Sequence, residues 1–182
     1  MKYLLTVVFI SISVILFAQN SEKVEVGNKA TDFTLKSIQE TEFQLSKLNQ
    51  KNPVVLIVLR GWPEYQCPVC SRQVGRFLAE AEKFQKLNAN VLFVYPGPSE
   101  VLQAKAKEFT EDFTFPDNFY FLLDPDYSMI NKYDLRWDAP KETAYPSTFV
   151  INKKGTIVYS KVSSTHGGRA SVEEVFEALE KL

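Results

Sequence analysis

Six consecutive apolar residues, Val54 to Leu59, constrain this chain more than any other feature. A continuous run of that length is expected of a central strand buried on both faces, as in a parallel sheet. Pro53 stands just before it, where a missing N–H does no harm. Shortly after the run come Cys67 and Cys70, the only two cysteines in 182 residues. Pro68 lies between them at a position that favours a helix start. A thiol at a helix N-terminus meets unpaired backbone N–H groups and partial positive charge. Such sites lower a cysteine pKa from about 8.5 to roughly 3.5–7.5. A buried strand therefore leads into a helix whose first turn carries two thiols.

Periodicity extends the pattern on both sides. Gly27 to Leu35 reads as an extended arm, and Ser37 to Leu48 as a hairpin-like region followed by a turn of helix. Val69 to Leu87 has helical spacing, with Val74, Phe77, Leu78, Ala81 and Phe84 on one face. Val91 to Tyr95 predicts a second strand, broken by Pro96-Gly97-Pro98, after which Ser99 is placed to cap a helix running to about Phe109. Asn118 to Leu123 predicts a third strand, ended by Asp124-Pro125-Asp126, with a short helix over Tyr127 to Tyr133. Thr148 to Ile151 and Thr156 to Ser160 form a hairpin across Asn152-Lys153-Lys154-Gly155. Ser171 caps a last helix with Glu173 and Glu174 in its first turn. The order predicts an α/β fold, a central mixed sheet flanked by helices, with an N-terminal extended arm or hairpin.

The chain begins with Lys2 and an almost wholly apolar stretch, Leu4 to Phe17, followed by the small residue Ala18. This reads as a signal peptide over residues 1–19, since a spanning helix needs roughly 20 apolar residues. Residues 20–182 would then form one exported domain, periplasmic or secreted, of a usual single-domain size. The formal charge of −1 has no basic patch behind it, which argues against nucleic acid as a partner. The closeness of Cys67 and Cys70 argues against a structural bridge, because closing so short a loop restrains the unfolded chain little. A structural zinc site needs about four ligands, and His166 is the only other soft candidate, so no metal is expected. Redox chemistry is the better reason for the pair.

Taken together, the C-x-x-C after the first central strand, the proline before a late strand and the closing hairpin and helix resemble a thioredoxin-like fold. Within it the chain resembles the AhpC/TSA, or peroxiredoxin-like, redoxins. Gly27-Asn28-Lys29-Ala30-Thr31-Asp32-Phe33-Thr34-Leu35 is similar to the G-x-x-A-x-D-F-x-L opening of that group. The stretch Phe119 to Tyr133, with Leu122-Leu123-Asp124-Pro125-Asp126, is similar to its F-x-L-L-x-D-P-D segment before a short helix, and Pro146 to Asn152 to its late strand. Pro63 and Cys70 fall on the proline and final cysteine of P-x-x-x-T/S-x-x-C, and Cys67 replaces the hydroxyl residue. Where many peroxiredoxins carry an arginine near the late strand, Tyr145-Pro146 resembles the cis-proline loop of thioredoxins; Arg60 could supply the missing charge.

The resemblance implies an enzyme without a cofactor, and two mechanisms for it. As a thiol peroxidase, Cys70 attacks a hydroperoxide and the resulting sulfenic acid condenses with Cys67. As a thiol–disulfide oxidoreductase, Cys67 attacks a protein disulfide and Cys70 resolves. Either cycle needs an external, thioredoxin-like thiol reductant. Arg60, Pro63, Tyr145 and Pro146 are the expected supporting residues. His166 reads as a loop-packing residue or a base, Glu64 as an exposed side chain, and Arg136–Ala144 as a connection or a substrate-facing flap.

Overall fold

The computed structural model describes residues 24–182, and the expected signal peptide lies outside the described residues. The elements are β1 (Thr34–Ser37), β2 (Glu42–Gln44), α1 (Leu45–Asn49), β3 (Val54–Val58), α2 (Pro68–Ala79), α3 (Ala81–Lys86) and β4 (Asn90–Gly97). They continue with α4 (Ser99–Thr110), β5 (Phe119–Pro125), α5 (Ser128–Lys132), β6 (Ser147–Ile151), β7 (Ile157–Val162) and α6 (Val172–Leu179). The strands form one mixed sheet in the order β2-β1-β5-β4-β3-β6-β7. The three central strands β5, β4 and β3 are parallel, and β6, β7, β1 and β2 add antiparallel flanks.

The apolar run becomes β3 at the centre, fully buried along its length. Its side chains alternate between two cores, as the two-residue period of a strand dictates. Val55, Ile57 and Leu59 face an aromatic-rich layer with α2, α4 and α6. Val54, Leu56 and Val58 face a second layer with Phe33, Met129, Tyr133 and Phe149. Near-continuous apolarity is thus the signature of covering both faces.

Two aspartates in the motifs prove to be helix caps. Asp32 accepts from the Ser46 N–H at 2.9 Å and the Ser46 hydroxyl at 2.8 Å, satisfying the first turn of α1. Asp124, wholly buried, accepts from the N–H groups of Met129 (2.7 Å) and Ile130 (3.0 Å) and from the Ser128 hydroxyl (2.8 Å). Ser171 and Glu174 form a reciprocal capping box on α6.

Four local expectations change. The long helix after the cysteines breaks at Glu80 (φ −104°), and the turn brings Phe84 onto Phe77, Phe119 and Phe176. Pro96 and Gly97 do not end β4 but continue it opposite Asp124 and Pro125. Since β3 has already ended at Val58, the missing Pro96 N–H has no partner to disappoint. Ser99 is the first residue of α4, not its cap; its N–H is taken by Asp126 Oδ1 at 3.0 Å. Finally, no cis peptide bond occurs among the described residues, so Tyr145–Pro146 is trans. Trans is the intrinsically favoured isomer, and here Pro146 leads straight into β6 with its carbonyl accepting from Ser163 N–H at 2.9 Å.

The segment that leaves β3 is tied to the end of β4. Trp62 N–H donates to Pro96 O at 2.9 Å, and Gly61 adopts φ +68° beneath that contact. A Cβ on Gly61 would lie 1.8 Å from Pro96 O. Gly61→Ala is expected to destabilise the fold by more than about 4 kcal/mol, a range reached by a short list of mechanisms that includes overpacking and strain at a special φ/ψ. Gly97→Ala would meet the tip of the buried Leu102 side chain at 2.9 Å and Trp62 Cβ at 3.3 Å, with no backbone atom so close, and should cost less. Thermal and denaturant melts of the two variants followed by circular dichroism check the contrast.

Candidate active site

The site lies at the carboxyl end of β3, where open α/β sheets place their reactive groups. Cys67 is the N-cap of α2, with extended backbone (φ −85°, ψ 107°), and Pro68 follows as the first helical residue. This geometry aims the Cys67 sulfur at the orphan amides of the first turn, and Cys70 N–H donates to it at 3.3 Å. Both thiols are free and buried.

The two thiols differ sharply in acidity. The Cys67 thiol is lowered to about 5. The Cys70 thiol donates to it, which outweighs burial; the Cys70 N–H and the charges of Arg169 and Arg60 act in the same direction. Cys70 is pushed up, first by burial and then by its hydrogen bond to Cys67. One negative charge is therefore held at Cys67, and Cys70 keeps its proton.

Two arginines supply the positive field. Arg60 follows β3 and is only 2% exposed. It donates through Nε to Glu142 Oε2 (2.9 Å), through Nη1 to Tyr65 Oη (2.7 Å) and through Nη2 to Lys141 O (2.9 Å). The second arginine, Arg169, reaches in from the loop before α6. Its Nη2 lies 3.4 Å from Cys70 Sγ and its Nη1 donates to Gln73 Oε1 at 2.5 Å. Sequence reading missed Arg169 as a site residue. The neighbouring His166 drew attention instead, and nothing local signals that a guanidinium after two glycines returns to a helix 99 residues earlier.

Tyr95 completes the buried side. Burial, and next the charge of the thiols, raise its hydroxyl strongly, so it stays neutral and donates to Gln66 Oε1 at 2.8 Å. Gln66 in turn donates to Lys105 O at 2.9 Å, fixing the residue just before Cys67.

Of the expected supporting residues, Arg60 joins the thiols, whereas Pro63 is a buried part of the connecting segment. Tyr145 stacks on Trp137 (4.9 Å between centroids, 12° between planes) beside the loop 136–144. His166 reaches neither sulfur in hydrogen-bonding geometry; its Nε2 lies 2.8 Å from Glu142 Oε1. Glu64 is exposed, as expected, with φ +77°. Among the described residues no cluster of three or more His, Cys, Asp or Glu could hold a metal ion.

Residues 26–160 match the AhpC/TSA family model. The chain belongs to the AhpC/TSA family. Peroxiredoxin Bcp of Bacillus subtilis is 28% identical over 141 residues, covering 74% of this chain and 83% of that protein. Chloroplastic peroxiredoxin Q of Sedum lineare is 30% identical over 139 residues, covering 74% and 67% respectively. Among solved structures, a peroxiredoxin-like protein from Aquifex aeolicus superposes with a TM-score of 0.71 at 20% identity, over 87% of this chain and 88% of that one. The chain has the fold and the reactive-thiol geometry of a thiol-based oxidoreductase.

Alkylation of the reduced protein should be confined to Cys67 at pH 6, with its rate falling as the pH drops through about 5. The thiolate is the reactive form, so reactivity is present above that value and lost below it. Arg169→Ala removes a positive charge and should raise the midpoint by about one unit. Peptide-resolved mass spectrometry across a pH series measures both.

Proposed function

We propose that this AhpC/TSA-family protein is a thiol peroxidase in which Cys67 attacks the hydroperoxide and Cys70 resolves. The observation that carries the assignment is the N-cap position of Cys67, whose sulfur accepts the Cys70 N–H at 3.3 Å; in that position its pKa is lowered while that of Cys70 is raised. The family frame puts Cys70 on the attacking position, but both thiols are buried and the one whose pKa is pushed up is the poorer nucleophile. The peroxidase reading rests on the match to the family and on relatives named as peroxiredoxins.

The cycle closes with these two residues and an external thiol. The Cys67 thiolate attacks one peroxide oxygen, the O–O bond breaks, and the leaving alkoxide or hydroxide takes a proton from solvent. Cys67 is then a sulfenic acid. The Cys70 sulfur attacks it, an S–S bond forms, and water leaves with the Cys70 proton. Two equivalents of an external thiol reduce the disulfide through a mixed-disulfide intermediate. Arg60 and Arg169 stabilise the thiolate before each attack.

Disulfide exchange remains the second reading, favoured by the cysteine that stands where the family frame has Thr or Ser. It uses the same nucleophile on a different oxidant. The apolar stretch Leu4 to Phe17 supports export of the mature enzyme to an oxidising compartment.

Mixing the reduced protein with one equivalent of hydrogen peroxide tests the assignment. Thiol loss should far outpace a free-thiol control and yield a Cys67–Cys70 disulfide. Cys67→Ser should abolish the fast phase, while Cys70→Ser should keep it and stop at a sulfenic acid on Cys67. A wild-type rate no better than the control would overturn the peroxidase reading for this oxidant in favour of disulfide exchange.

A further inference from the structure

The loop 136–144 is built to present one carboxylate. Trp137 N–H donates to Thr143 O at 3.0 Å, and Arg136 and Ala144 form a bridge. The Arg136 guanidinium donates to the carbonyls of Trp137 (2.7 Å), Glu142 (3.2 Å) and Thr143 (2.5 Å), closing the loop from inside. Glu142 projects from it with its side chain only 12% exposed. Both of its oxygens are used: Oε2 meets Arg60 Nη2 at 2.7 Å, and Oε1 meets His166 Nε2 at 2.8 Å.

Arg60 thus faces two anionic groups. The Glu142 carboxylate pairs with it directly, and the Cys67 sulfur interacts with it electrostatically. Tyr65 and the Lys141 carbonyl are its remaining partners. Glu142 is faced in turn by Arg60 and by His166 from the loop before α6. With Arg60 almost wholly buried, solvent screens this arrangement little, so the charge on one anion alters what the other feels.

The geometry points to Glu142 as a positioning residue that sets, through Arg60, how strongly the Cys67 sulfur is held as a thiolate. Glu142 neutralises part of the Arg60 field and so restrains the acidity of Cys67. Its role rests on Cys67 being the acidic thiol, as the proposed function has it. Arg60 keeps the Tyr65 and Lys141 anchors when the Glu142 charge is removed, so its guanidinium stays in place.

The test is the pH profile of Cys67 alkylation, read peptide by peptide, with a thermal melt of each variant. Glu142→Gln removes the charge and keeps the shape, so the Cys67 midpoint should fall below its wild-type value of about 5. His166→Ala leaves the carboxylate charged and removes only a basic partner, so it should not lower the midpoint. An unchanged or raised midpoint in E142Q overturns the role, as does an equal shift in H166A, which would reveal loop packing instead of charge. Should E142Q fail to fold, Glu142→Asp keeps the charge while weakening its reach to Arg60; it must shift the midpoint in the same direction, and no shift overturns the role. A wild-type protein whose acidic thiol is Cys70 sinks the functional reading and this role together, whereas an acidic Cys67 with an unmoved E142Q sinks this role alone.

Discussion

Two sulfur atoms share a single negative charge at the start of α2, and most of the surrounding structure follows from where that charge rests. As the N-cap, Cys67 receives the Cys70 N–H and the Cys70 thiol, while Cys70 lies in the core, where ionising would carry a large desolvation cost. Helix position alone would favour an anion here. The second thiol sharpens the preference by acting as donor to the first. Burying such an anion is tolerable only with cations nearby. Arg60 and Arg169 meet that need from segments far apart in the sequence.

The sheet makes this convergence possible. Parallel β3 and β4 end on the same side, and antiparallel β6 begins there, because Val58 pairs with Ser147. Residues just past β3, just before β6 and just before α6 therefore gather at one end of the molecule. Arg60 arrives by the first route, Glu142 and Tyr145 by the second, His166 and Arg169 by the third. The aromatic layer beneath, with Phe77, Phe84, Phe93 and Phe176 in mutual contact, supports α2. Tyr95 carries that layer up to the thiols with a polar tip.

What the sequence made legible was what local spacing determines. The doubly buried β3, the thiols opening α2 and the capping of α6 could all be read from neighbouring residues. The motif aspartates, Asp32 and Asp124, were recognisable as patterns, although their capping roles became clear only in three dimensions. Less legible were features set by distant partners. Ser99 had the chemistry of a cap, but Asp126 takes its N–H from another turn. Helical periodicity ran through Glu80 because Phe84 has the right spacing for one continuous face, while its packing on Phe119 and Phe176 demands a break. The choice between the thiols also lay beyond sequence. The family frame aligns Cys70 with the attacking position, and Arg169 meets the Cys70 sulfur, whereas the N-cap position and the two Cys70 donors make Cys67 the more acidic thiol.

Gly61 has a wider implication for how this site can vary. Its close approach to the Pro96 carbonyl pins one end of the cysteine-bearing segment to the sheet, and the start of α2 pins the other. Between these fixed points run Pro63, Glu64, Tyr65 and Gln66, of which Glu64 is exposed while Tyr65 holds Arg60 and Gln66 holds Tyr95. Their number matters as well. Inserting or deleting a single residue would rotate Cys67 away from Arg60 while leaving both cores intact. Such a chain would keep the Cys70 donors that acidify Cys67 and lose the Arg60 contribution, so loop length sets how the guanidinium meets the sulfur.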